Sequence, residues 1–233
     1  MTSTSGADNT ITVAITDNDP ITLKALAAIL SRDFSVLWTE LSGRATITRC
    51  IEDRQIPDVL LVDMALSDMP GTSVCRFLRT SLDRMPILAI TSYPLTTYAA
   101  PAAEHGAQGI LGKESIRDIV RAIPMLANGM TLPPPAQCGN VAFRSAAQSH
   151  QDILREPLPD DMTLAPREIE ILELILQGLD QQQISRQLEI SATTVRTYTR
   201  RIREKLHCST MEQATARWVT LRYDYPQFRY KER

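Results

Sequence analysis

With 233 residues, 25 Lys+Arg, 27 Asp+Glu and a formal net charge of −2, the chain is long enough for two domains and too evenly charged to name a partner from charge alone. No apolar run approaches the ~18 residues that span a bilayer, and the opening "MTSTSGADNT" has neither a basic nor an apolar leader segment, so the expectation is a cytoplasmic protein with no membrane partner. The four cysteines, Cys50, Cys75, Cys138 and Cys208, form no C-x-x-C pair, which argues against structural zinc and a disulfide framework.

Short apolar runs at 11–16 (ITVAIT), 34–38 (FSVLW), 58–62 (DVLLV), 86–90 (PILAI) and 108–111 (QGIL) predict strands. Segments of helical period lie between and after them, near 20–31, 44–54, 71–81, 95–105 and 115–128. That alternation predicts an α/β domain over 1–129, a doubly wound five-stranded parallel sheet. Pro101 predicts an irregular or shortened fourth helix.

Gly129, the three prolines at 133–135 and the loss of apolar period predict a linker over 130–160, extended at its proline end. Beyond it every segment reads as helix, giving a small all-α domain over 161–225 and a tail over 226–233. Pro166 suits a first helical turn, and Ile169, Leu172, Leu176 and Leu179 share a face, with Gly178 interrupting near the end. Asp180 with Gln183 has capping-box spacing, and Ser191 caps a third helix running through Leu206. Ser209 with Glu212 gives another box, opening a fourth helix. The short helices around "LEIS" predict a helix-turn-helix. The apolar face of the fourth helix exceeds what that motif needs, so Met211, Ala214 and Trp218 are expected at a homodimer contact.

Ligands of open parallel sheets bind outside the carboxyl ends of the strands. Asp17 and Asn18 follow the first predicted strand, Asp63 the third and Thr91 the fourth, and Lys113 lies just past the fifth. Taken singly, Asp17 or Asp63 reads as a helix cap. Together they offer hard oxygen ligands for Mg²⁺, with a lysine and a hydroxyl that would stabilise a phosphoryl group. In the second domain, "TTVRTYTRRIREKL" carries Arg196, Arg200, Arg201, Arg203 and Lys205 against Glu204. Val195, Ile202 and Leu206 can face a core while Arg196, Thr197 and Arg200 gather elsewhere, as a helix that reads double-stranded DNA requires. Arg196 and Arg200 suit guanine, and Thr194, Arg201 and Lys205 are further DNA-binding candidates.

"ITDNDP", "PDVLLVDMALSDMPG", "PILAITS" and "GAQGILGKES" resemble, in order and spacing, the flavodoxin-like receiver of a two-component response regulator. "LAPREIEILELILQGLDQQQISRQLEISATTVRTYTRRIREKLHC" resembles the LuxR-type DNA-binding domain, and the pairing is that of NarL/FixJ-type regulators. The resemblance implies that Asp63 accepts a phosphoryl group from a sensor histidine kinase. It also implies that Asp17, Asn18, Asp63 and the Ala65 carbonyl hold Mg²⁺, that Thr91 and Lys113 couple the phosphoryl group to a distal face, and that Arg196, Thr197 and Arg200 touch bases. Two residues depart from the pattern: Asn18 stands where a carboxylate is usual, and Ile110 where receivers commonly place a switching aromatic ring. Asp17, Asp63, Thr91 and Lys113 favour control by phosphorylation, whereas Asn18 and Ile110 favour control by a partner protein or ligand. An aspartate-nucleophile phosphatase of the haloacid-dehalogenase type would need an acid two residues after Asp63, where Ala65 stands.

Overall fold

Val59 to Asp63 and Ile87 to Thr91 are β-rich runs without a polar alternation, and both strands are buried along their whole length, as expected for the middle of a parallel sheet. The computed structural model describes residues 10–156 and 164–224, and the chain divides at Arg155/Glu156 into two compact units.

In the first unit β1 (Thr12–Thr16), β2 (Ser35–Glu40), β3 (Val59–Asp63), β4 (Ile87–Thr91) and β5 (Gly109–Gly112) pair in parallel in the order β2-β1-β3-β4-β5. The helices α1 (Pro20–Leu30), α2 (Gly43–Ile51), α3 (Gly71–Ser81), α4 (Leu95–Glu104) and α5 (Ile116–Ala127) alternate with the strands. Val13, Ile15, Leu61, Leu88 and Ile90 pack against Leu23, Leu26 and Leu30 of α1 and Ile119, Ile123 and Leu126 of α5. The sheet order reverses direction between β1 and β3, which places the chain segments after both strands at one crevice.

Two elements differ from the sequence reading. Strand β2 runs on to Glu40, because a bulge lets Val36 pair with Val13 and Trp38 with Ala14, leaving Leu37 out of register and 45% exposed. Helix α4 continues through Pro101 for ten residues rather than breaking. A proline costs one helical N–H, and here the end of the helix is closed by the His105 N–H donating to the Pro101 carbonyl at 3.0 Å.

The segment 130–160, expected to be a linker, holds ordered structure as far as it is described. Leu132 N–H donates to the Gln108 carbonyl at 2.9 Å, and its side chain joins the sheet core so closely that a Cβ on Gly109 would lie 2.6 Å from it. A helix, α6 (Ala146–Arg155), then packs on α3. Its inward face is Ala146, Ser149 and Ile153, with one large apolar residue, too little to register as hydrophobic periodicity. Arg79 of α3, wholly buried, ties this region together. Its guanidinium donates to the carbonyls of Gly106, Leu82 and Met85 and to Gln108 Oε1, at 2.8–3.1 Å. Gln108 Nε2 in turn donates to the Arg144 carbonyl at 3.2 Å, and His150 Nδ1 of α6 meets the Arg79 carbonyl at 2.6 Å.

The second unit comprises α7 (Pro166–Leu176), α8 (Gln181–Gln187), α9 (Ala192–Lys205) and α10 (Met211–Asp224). Its core gathers Ile171, Leu172, Leu174, Ile184, Val195, Ile202, Leu206, Ala214, Trp218 and Leu221. The apolar run of α7 offers two overlapping stripes, and Ile171 turns inward while Leu176 stays 37% exposed. The Asp180–Gln183 box and the Ser191 cap form as expected. The last cap shifts by one residue: Thr210 Oγ1 accepts from Gln213 N and Gln213 Oε1 accepts from Ser209 N, so Thr210 and Gln213 take the places foreseen for Ser209 and Glu212.

Of the three residues expected at a dimer contact, Ala214 and Trp218 are wholly buried in this unit's own core, and Met211 packs partly buried against it. The Trp218 indole N–H donates to Glu173 Oε1 at 2.8 Å. An apolar stripe on a last helix of a small domain is consumed by closing that domain, and this removes Ala214 and Trp218 from the partner-facing set.

Candidate functional site

The carboxyl ends of β1, β3, β4 and β5 bring four of the expected residues to one pocket. Asp17 and Asp63, fully and almost fully buried, each use one oxygen on a nearby backbone N–H: Asp17 Oδ1 accepts from Asp19 N at 2.9 Å, and Asp63 Oδ1 from Ala65 N at 3.3 Å. The other oxygens turn to Lys113, whose ammonium lies 2.7 Å from Asp17 Oδ2 and 3.1 Å from Asp63 Oδ2. The Lys113 N–H also donates to the Thr91 carbonyl, and the buried Thr91 hydroxyl accepts from Tyr93 N at 3.1 Å.

Burial pushes the Asp63 carboxyl above the usual range against the pull of Lys113 and the Ala65 N–H. A raised folded-state value contributes stability below the unfolded value near pH 4 and loses it as pH rises through the folded value, so ionised Asp63 costs stability at neutral pH. Asp63→Asn is therefore expected to raise the thermal midpoint of the first unit by about 2–4 °C at pH 7.5, with a smaller gain at pH 5, in scanning calorimetry at the two pH values. A lowered midpoint at pH 7.5 would contradict this reading.

Asn18 is exposed beside this pair, and Asp19 belongs elsewhere. As the N-cap of α1 it accepts from the Thr22 hydroxyl and the Ile21 N–H, which hold it below the usual carboxylate range. Among the described residues no three His, Cys, Asp or Glu side chains converge as a metal cluster. The donors present nonetheless suit a hard cation. Two buried carboxylate oxygens share one compensating charge, and apart from that ammonium Asp17 Oδ2 meets no hydrogen-bond donor among the described residues. Ile110, only 2% exposed, is a core residue of β5 rather than a surface switch.

On α9 the expected division of faces is present. Val195, Ile202 and Leu206 are buried, and Arg196, Arg200 and Arg201 are exposed. Thr197 Oγ1 donates to the Thr193 carbonyl, Thr194 Oγ1 meets the capping Ser191 hydroxyl at 2.8 Å, and Arg200 lies 3.2 Å from Glu204 on the surface. Lys205 has a partner within its own unit. Its ammonium is 2.8 Å from Glu168 Oε2, and Glu168 is buried with the same oxygen accepting from Ala165 N. Lys205 thus closes the fold of the second unit, and Glu168 supplies half of the cap that Ala165 lacks. Gln181, which sequence reasoning passed over, donates from Nε2 to the Ala192 carbonyl and fixes the start of α9.

The family model for bacterial regulatory proteins, luxR family, matches residues 162–217, and the model for the response regulator receiver domain matches residues 13–124. The transcriptional regulatory protein LnrK of Bacillus subtilis is 29% identical over 210 residues, covering 88% of this chain and 94% of LnrK. The DNA-binding transcriptional activator EvgA of Escherichia coli is 26% identical over 198 residues, covering 84% of this chain and 92% of EvgA. A solved two-component response regulator of the LuxR family from Aurantimonas shares the fold with a TM-score of 0.51 at 21% identity, over 64% of this chain and 100% of that one.

Proposed function

We propose a control mechanism from one premise: the chain belongs to the two-component response regulators, with a receiver joined to a LuxR-type helix-turn-helix DNA-binding domain. In this mechanism Asp63 takes a phosphoryl group, and the modified receiver sets how a homodimer engages double-stranded DNA. The observation that carries it is the Lys113 ammonium bridging Asp17 and Asp63. An Asp63 oxygen attacks phosphorus as the bond to the donor, a sensor histidine kinase phosphohistidine or an acyl phosphate, breaks and the donor departs. Lys113 then faces the added negative charge, and the Thr91 hydroxyl at the next strand end senses it. Asp17, Asp63, Asn18 and the Ala65 carbonyl would hold Mg²⁺, which offsets phosphoryl charge when bound. Asn18 keeps an oxygen donor but brings no charge, so the affinity expected is lower than for three carboxylates.

A second reading, with Asp63 silent and control by a partner protein or ligand, is favoured by the uncharged, exposed Asn18 and by the buried, ring-less Ile110.

On the output side, Arg196, Thr197 and Arg200 are read as base-facing and Arg201 as phosphate-facing. Each bidentate arginine contact discriminates by about 1–3 kcal/mol, so Arg196→Ala with Arg200→Ala should weaken binding to a selected DNA site by at least about 30-fold. Arg201→Ala should instead weaken all sequences alike and lower the salt slope by about 1. Lys205→Ala should act through stability, because its partner is the buried Glu168. Fluorescence anisotropy against specific and scrambled duplexes reads these outcomes, and equal losses on both duplexes for the double variant would remove the base-reading assignment.

A further inference from the structure

The loop that follows the phosphoacceptor strand, 64–70, is fastened at a point outside the pocket. Asp68, exposed near its end, sets its carboxylate on the first turn of α2, Oδ1 accepting from Gly43 N and Oδ2 from Arg44 N, both at 3.0 Å. Two of the N–H groups that a helix start leaves unbonded are thus satisfied from another loop, by an anion at the positive end of the helix dipole. The fit is close. A Cβ on Gly43 would lie 2.5 Å from Val74 and 2.8 Å from Met69, so the helix start is pressed against this loop and α3. At the far end Gly71 N donates to the Met64 carbonyl at 3.1 Å, and a Cβ on Gly71 would lie 2.1 Å from the Asp63 carbonyl.

The same turn of α2 holds the other limb of the pocket. Thr46 Oγ1 donates to the Ser42 carbonyl at 3.0 Å, which leaves it to accept from the buried Thr16 hydroxyl at 2.6 Å. Thr16 ends β1 and immediately precedes Asp17. One helical turn therefore joins the two segments that carry the site, Asp17 with Asn18 on one side and Asp63 with Ala65 on the other.

We propose that Asp68 is a positioning residue of the pocket. By anchoring its loop to α2 it fixes where the Ala65 carbonyl stands relative to Asp17 and Asp63, and it lets a pocket short of one carboxylate bind a divalent cation. The role rests on the Mg²⁺ reading above. Its physical basis is preorganisation: a cation that meets an already ordered carbonyl spends none of its binding energy on ordering the loop.

The test is a MgCl₂ titration of the full chain without phosphodonor, read as the thermal midpoint of the receiver, since a cation that binds the folded state raises that midpoint. The parent is compared with Asp68→Asn and with Ser42→Ala. Ser42 Oγ accepts from Ala45 N at 3.2 Å, so Ser42→Ala weakens the same helix start without touching the loop. Both variants should lower the midpoint without Mg²⁺, and only Asp68→Asn should raise the half-saturating Mg²⁺ concentration, by about fivefold, the cost of a hydrogen bond made worse but not deleted. A parent that responds to Mg²⁺ and an Asp68→Asn variant with the parent's half-saturation would overturn the positioning role while leaving the Mg²⁺ reading intact. A parent that does not respond at all would overturn both.

Discussion

Arg79→Ala should destabilise the receiver by at least about 4 kcal/mol, the largest effect expected of any single substitution in this unit. The guanidinium is wholly buried, and burial lowers it to about 10, so it is still a cation at neutral pH. Its acceptors are three backbone carbonyls and the Gln108 amide oxygen. Removing it strands buried acceptors at about 1–3 kcal/mol each and opens a cavity between α3, β4 and β5. Arg79→Lys keeps a charge but cannot satisfy a fork of carbonyls, and it should recover only part of the loss. Because the guanidinium holds Gln108, and Gln108 holds the Arg144 carbonyl, both variants should also raise amide exchange in 144–155. Urea midpoints with hydrogen exchange measure the two effects, and a loss below about 1 kcal/mol for Arg79→Ala would show that water replaces the guanidinium.

Arg79 also shows where the sequence was silent. The strands were legible because runs such as "DVLLV" admit few other uses, and the observed β3 and β4 lie within one residue of the expected ranges. Helix α6 was not legible, since a face made of Ala146, Ser149 and Ile153 carries little hydropathy, and the elements it packs on are fixed only after the sheet closes. A buried arginine bound to carbonyls leaves no complementary acid in the sequence to reveal it. Asp68 is hidden for the same reason, as its partners are the backbone N–H groups of Gly43 and Arg44.

The pocket was readable as a set because position after a strand determines convergence, and the structure brings Asp17, Asp63, Thr91 and Lys113 together. Where one pattern serves two purposes, sequence chose wrongly. The stripe of Ala214 and Trp218 fits a partner as well as it fits a domain's own core. Only the third dimension separates such uses.

The largest chemical effect expected is all-or-none phosphorylation at Asp63. The carboxylate is already aimed, with one oxygen on the Ala65 N–H and the other 3.1 Å from the Lys113 ammonium that would receive the new charge. Burial raises the carboxyl, so the reactive anion becomes scarcer as pH falls and labelling should slow in mildly acidic buffer. The direct measurement is intact-protein mass after incubation with acetyl phosphate and MgCl₂, with Asp63→Ala alongside. A gain of one phosphoryl group in the parent, dependent on Mg²⁺ and absent from Asp63→Ala, is the predicted result. No gain in the parent, under conditions in which a conventional receiver is labelled, would contradict phosphorylation control and leave input from a partner protein or ligand as the working mechanism.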